Sequence, residues 1–156
     1  MKLIFRSILV ASFFSLLPGN SFSHCQVPCG IYEDSLRIEM LKEHITTIEK
    51  AMNQINDLSR SGDKNYNQIV RWVNNKEIHA TKIQAIVSEY FLIQRIKPVD
   101  SQNHHYARYM KNIENLHHIS VYSMKAKQTT NLENVAMLRE LVQQFADRYF
   151  DHHKHE

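Results

Sequence analysis

Breakers of regular structure are scarce in this chain. Among 156 residues there are three glycines and three prolines. Pro18 and Gly19 lie near the start and Pro28 and Gly30 in one short motif, which leaves only Gly62 and Pro98 to interrupt the rest. A body so poor in turn residues reads as long helices. No segment alternates apolar and polar residues as a half-buried strand would, and no internal repeat is present. Gly-rich phosphate loops, nucleophile elbows and paired carboxylates are also missing. Charge of one sign is lacking too. Without Lys2 and Arg6, 17 basic and 16 acidic residues nearly balance. That leaves no polyanion footprint and argues against a nucleic-acid partner. The apolar run at residues 8–17 is too short to span a bilayer, which takes about 20 apolar residues. Cysteine is limited to Cys25 and Cys29.

What is present begins with a leader. Lys2 and Arg6 precede the apolar run, Pro18 and Gly19 break it, and Ser21 and Ser23 place small residues at the −3 and −1 positions of a cut before His24. Residues 1–23 therefore read as a cleaved export signal. The mature chain is expected in a periplasm, the extracellular space or an organelle lumen, with no stable membrane association after cleavage. Residues 24–32 form a compact motif, and 33–156 a helical body large enough for its own core.

In that body Ile38, Leu41, Ile45, Ile48, Met52 and Ile55 recur at steps of three and four. This marks one stripe of a helix over 34–58. Residues 59–64 read as a turn. A second helix over 65–95 carries Ile69, Val73, Ala80, Ile83, Val87 and Tyr90 inward and ends at Lys97-Pro98. A third, over 103–126, shows a less regular face of Tyr106, Tyr109, Ile113, Leu116 and Met124. Thr130 with Glu133 has the form of a capping box. The helix behind it carries Val135, Leu138, Val142, Phe145 and Tyr149. The expected fold is all-α, an antiparallel four-helix bundle preceded by an N-terminal metal-binding hook. Met52 and Met124 are expected to fill core gaps, and Trp72 to pack. His44 and His79 lie near apolar faces and read as packing groups. His104-His105 and His117-His118 read as surface pairs, and the His-rich end over 151–156 as a solvated tail. Such bundles host many functions, so the activity must come from the motif.

The motif is His24-Cys25-Gln26-Val27-Pro28-Cys29-Gly30-Ile31-Tyr32. In an exported chain two cysteines can simply form a disulfide. Cleavage before His24 offers another use. The terminal amine, an imidazole, the Cys25 amide and two thiolates would then lie within six residues. Pro28 and Gly30 suit a tight return of the chain. Two thiolates and two nitrogens in a plane suit Ni(II) or Cu(II) better than tetrahedral zinc.

The pattern His24-Cys25-x-x-Pro28-Cys29-Gly30-x-Tyr32 closely resembles the nickel hook of nickel-containing superoxide dismutases. Tyr90-Phe91 and Lys97-Pro98 are similar to that family's second helix and the turn behind it. The resemblance implies a four-helix bundle assembled as a homohexamer, one nickel ion per chain and superoxide as substrate. It implies that His24 gives its amine and imidazole, Cys25 its backbone nitrogen and thiolate, and Cys29 its thiolate. Pro28 and Gly30 would shape the hook, and Tyr32 would stand over the open metal face. An acidic residue early in the first helix holds the histidine ring in this family. Arg37-Ile38-Glu39 matches its local sequence, which makes Glu39 the candidate, although the chain is one residue shorter between Tyr32 and Glu39. Gln26 replaces a residue that is often acidic. The alternative to catalysis is an exported nickel or copper carrier using the same donors. A helical interaction protein with a disulfide is the third reading.

Overall fold

The structure, a computed structural model, describes residues 33–153. The leader, the hook residues 24–32 and the last three residues lie outside the described residues. Among the described residues every regular element is helical. Helix α1 is Asp34–Ser59, α2 begins at Tyr66 and continues to Arg95, α3 is Tyr106–Gln128 and α4 is Glu133–His153.

Long-range hydrogen bonds give the topology. His44 of α1 meets His79 of α2, and Asp34 at the start of α1 meets Arg95 at the end of α2. Lys76 meets Ala126 and Gln84 meets Ser120 across α2 and α3. Asn115 meets Leu141 across α3 and α4, and α4 returns to α1 through Tyr149 with Asp34. Arg148 with Lys111 and Arg139 with Glu49 add a second contact to the last two pairs, and in every pair one number rises as the other falls, so neighbours run antiparallel. Helix α1 packs on α2 and α4, and α3 closes the ring.

The heptad stripe of α1 enters the core as expected. Leu41, Ile45, Ile48 and Met52 are fully buried, with Ile38 and Ile55 nearly so. They meet Ile83 and Val87 of α2, Leu116 and Ile119 of α3, and Val135, Leu138, Val142 and Phe145 of α4 in one cluster. Each such aliphatic side chain contributes about 1.5–3 kcal/mol by burial. At the end holding Asp34 the core turns aromatic. Phe91 stacks edge-to-face on Phe145 and Tyr149, with ring centres 4.8 and 5.7 Å apart.

Four local features depart from the sequence expectation. The turn after α1 ends in a 3-10 segment, Gly62–Asn65, and Gly62 takes φ 68°, a conformation other residues resist. The inner face of α3 is Asn112, Asn115, Leu116, Ile119, Ser123 and Ala126. Met124 lies beside that seam at 44% exposure and fills no core gap. The seam is hidden from hydropathy because half of it is polar. Asn115 donates to the Leu141 carbonyl at 3.1 Å and accepts from Arg148 at 3.3 Å, and Ser123 donates to the Ile119 carbonyl at 2.8 Å. Helix α3 begins at Tyr106 because side-chain turns at Asp100 and Asn103 accept the amides of Gln102 and His105. Helix α4 is capped by Asn131, not Thr130. Asn131 Oδ1 accepts the Glu133 amide at 2.9 Å, and its Nδ2 donates to the Glu133 carboxylate at 3.0 Å.

The end of α2 is wound as a π-helix over Ile86–Arg95. The Ile96 amide bonds to the Phe91 carbonyl, five residues back, at 2.8 Å. In an α-helix a residue five positions on lies about 140° around the axis. The wider winding instead aligns Tyr90 with Arg95, and Arg95 Nη2 donates to the Tyr90 hydroxyl at 3.1 Å.

Candidate metal centre

The candidate hook donors and their companions, His24, Cys25, Pro28, Cys29, Gly30 and Tyr32, lie outside the described residues. What the structure gives is the platform to which they are joined. Glu33 is the first described residue, and Asp34 starts α1.

Asp34 ties three helices together. Its Oδ1 accepts from the Tyr90 hydroxyl and from Arg95 Nε at 2.8 Å, and its Oδ2 accepts from the Tyr149 hydroxyl at 2.6 Å. The carboxylate side chain is 18% exposed. Burial alone would raise its pKa, but the bonds from Tyr149 and Tyr90 and the charge and bond of Arg95 outweigh it, so the net shift is downward. Both hydroxyls are pushed the other way, by burial first and then by donation to Asp34. They stay protonated as donors. The guanidinium groups of Arg37 and Arg95 lie 5.0 and 5.1 Å from the Tyr90 ring centre. The helix start two residues after the hook is thus anchored to the carboxyl-terminal ends of α2 and α4.

Sequence reading took Tyr90 and Tyr149 as core and missed Asp34 and Arg95. The rings are core, and only their hydroxyls join the polar knot. The one available signal was an acid in the first turn of a helix, where the N-terminal dipole favours negative charge.

Beside the knot lies a cavity of about 210 Å³ bounded by Arg95, Lys97, Arg108, Tyr109, Asn112 and Tyr149, among others, with no carboxylate in its lining. Arg108 also bonds the Arg148 carbonyl of α4. The end of the bundle that carries the hook therefore has a basic flank.

Glu39 lies one and a half turns into α1. It is exposed and pairs with Lys42 at 2.8 Å. It borders a groove with Ser35, Gln143, Asp147 and Phe150. Asp34 has both oxygens committed within the bundle, whereas the Glu39 carboxylate lies at the surface beside Lys42. Of these two acids early in α1, Glu39 is the one free to meet a ligand from outside. His104, His105, His117 and His118 are exposed, as expected of surface pairs. Among the described residues no three or more His, Cys, Asp or Glu side chains gather as a metal-holding group.

The family model of nickel-containing superoxide dismutase matches residues 20–154, which includes the hook motif and all four helices. The chain belongs to the nickel-containing superoxide dismutases. No curated protein and no solved structure matches it. Membership makes the chain a nickel-dependent oxidoreductase acting on superoxide. Both cysteines of this superoxide dismutase fall within residues 24–32, beside a histidine that a cut would make terminal. Thiolate with nitrogen is a donor set suited to nickel.

Proposed function

We propose that the mature protein starts at His24 and dismutates superoxide at that terminus, giving one dioxygen and one hydrogen peroxide from two superoxide anions and two protons. The amine and imidazole of His24, the backbone nitrogen and thiolate of Cys25 and the thiolate of Cys29 would hold one nickel ion per chain. Bound there, the ion supplies one-electron chemistry between Ni(II) and Ni(III). Pro28 and Gly30 bend the chain so that the second sulfur returns toward the first. Glu39 accepts a hydrogen bond from the His24 ring and orients it, as partners of metal-bound imidazoles do. Tyr32 orders solvent and anion over the open face.

The described residues serve this site in two ways. The Asp34 knot fixes the point where the hook joins the bundle. With Arg95 already paired to Asp34, Lys97 and Arg108 give that end a positive flank, which draws a small anion by its field. The protein is exported, the leader is removed on the way, and the mature chains assemble as a homohexamer.

The family match across both hook and body carries this reading. Its test is amino-terminal sequencing and metal analysis of the exported protein, followed by superoxide decay in a stopped-flow assay. A terminus at His24, one nickel per chain and rapid superoxide loss are expected. His24→Ala, matured correctly, should keep nickel and lose most turnover. A different terminus, or loaded protein inert toward superoxide, would refute the proposal. Reversible nickel or copper binding without turnover would assign a carrier instead.

A further inference from the structure

His44 and His79 are the polar pair inside the α1–α2 contact that the hook chemistry does not use. His44 is 7% exposed and His79 is half-buried. Their Nδ1 atoms face each other at 3.1 Å, with ring centres 4.9 Å apart and planes at 79°. Two protonated nitrogens would repel at that distance, so one Nδ1 carries the hydrogen and the other presents its lone pair. We propose that His44 and His79 form a two-imidazole binding site for a divalent transition-metal ion, separate from the amino-terminal hook.

The separation fits. With metal–nitrogen bonds of about 2.05 Å, two nitrogens 3.1 Å apart subtend an angle of about 98° at the ion, between the square-planar and tetrahedral values. In the hydrogen-bonded pair each Nδ1 faces the other, and a turn of both rings, without movement of the two helices, brings both lone pairs onto one ion. Burial, the neighbouring imidazole and the charge of Lys82 all keep His44 neutral, and burial and Lys82 do the same for His79. At neutral pH the ion therefore displaces no net proton. The donor histidine moves its hydrogen from Nδ1 to Nε2, and both Nδ1 lone pairs become ligands. The negative charge of Glu43 acts on both rings and offsets part of the Lys82 repulsion of a cation. Two protein ligands leave the other positions to solvent, so the site holds metal reversibly. Imidazole suits zinc, copper and nickel.

The test titrates Zn(II), which has no redox chemistry of its own, into nickel-loaded protein whose hook is filled. His152, His153 and His155 are replaced by glutamine to silence the tail. One zinc per chain should bind and raise the unfolding temperature. His79→Gln and His44→Gln should each weaken binding at least tenfold and abolish that rise, while His117→Gln leaves both unchanged. In the unsubstituted, folded protein, zinc should shift the Nδ1 resonances of His44 and His79 before those of the exposed histidines. Zinc binding that survives His79→Gln, or Nδ1 resonances that do not move, would overturn the site.

Discussion

Replacing Asp34 by asparagine keeps the shape of the side chain and removes its charge. In the wild-type protein the carboxylate accepts from Tyr90, from Arg95 at 2.8 Å and from Tyr149 at 2.6 Å. Hydrogen bonds to a charged group contribute roughly 1.5–3 kcal/mol each. Asparagine retains one acceptor oxygen, so the Arg95 and Tyr90 bonds weaken. Its amide nitrogen turns a donor toward one former partner. A loss of about 2–4 kcal/mol follows, smaller than three full bonds because neighbouring contacts are not additive. In thermal unfolding at neutral pH this is a fall of roughly 8–15 °C for a chain of this size. The effect must depend on pH. Asp34 is held below its ordinary value of 3.8, so its folded-state charge stabilises the protein fully above that value. The contribution fades as pH falls toward the depressed value, where wild-type Asp34 itself takes up a proton. The gap between wild type and Asp34→Asn, followed by denaturant unfolding from pH 7 to pH 3, should narrow only at the acid end. A gap under 0.5 kcal/mol at pH 7, or one as wide at pH 3 as at pH 7, would refute this account of the knot.

Other sites give further expectations. Lys76 is 3% exposed and donates to the Ala126 carbonyl at 2.6 Å and to that of Lys127. Lys76→Met should strip these last carbonyls of α3 of their cap and cost about 2–3 kcal/mol in denaturant unfolding. Asn131→Ala should cost about 1 kcal/mol while Thr130→Ala costs far less, and the reverse order would restore the capping box. His44 and His79 are both held below their ordinary value of 6.5. Stability should therefore be full above pH 6.5 and decline as pH falls below it, and His44→Gln should flatten that part of the profile. Lys97→Gln should lower superoxide turnover two- to threefold at low ionic strength and hardly at all in high salt, with nickel content unchanged.

Some of this was legible in the chain and some was not. The stripe from Ile38 to Ile55 specified α1 because its six repeating positions are all apolar, with His44 the one buried polar residue beside them. Gly62 and Pro98 marked two of the three interruptions because so few other breakers compete. The seam of α3 was obscured, since Asn112, Asn115 and Ser123 give no hydrophobic signal, and Met124 stood in for it wrongly. The π-winding after Ala85 was equally hidden, because residues 86–95 also satisfy an ordinary helical pattern.

The sequence by itself determined the helical class and offered the candidate donor set, because both are written in neighbouring residues. A heptad repeat needs only local spacing, and a hook of amine, imidazole and thiolates needs only a few consecutive positions. The tertiary structure alone decided what Asp34, Arg95, Lys76 and the two facing histidines do. Their partners lie tens of residues away along the chain, and only antiparallel packing brings those distant polar groups within bonding distance.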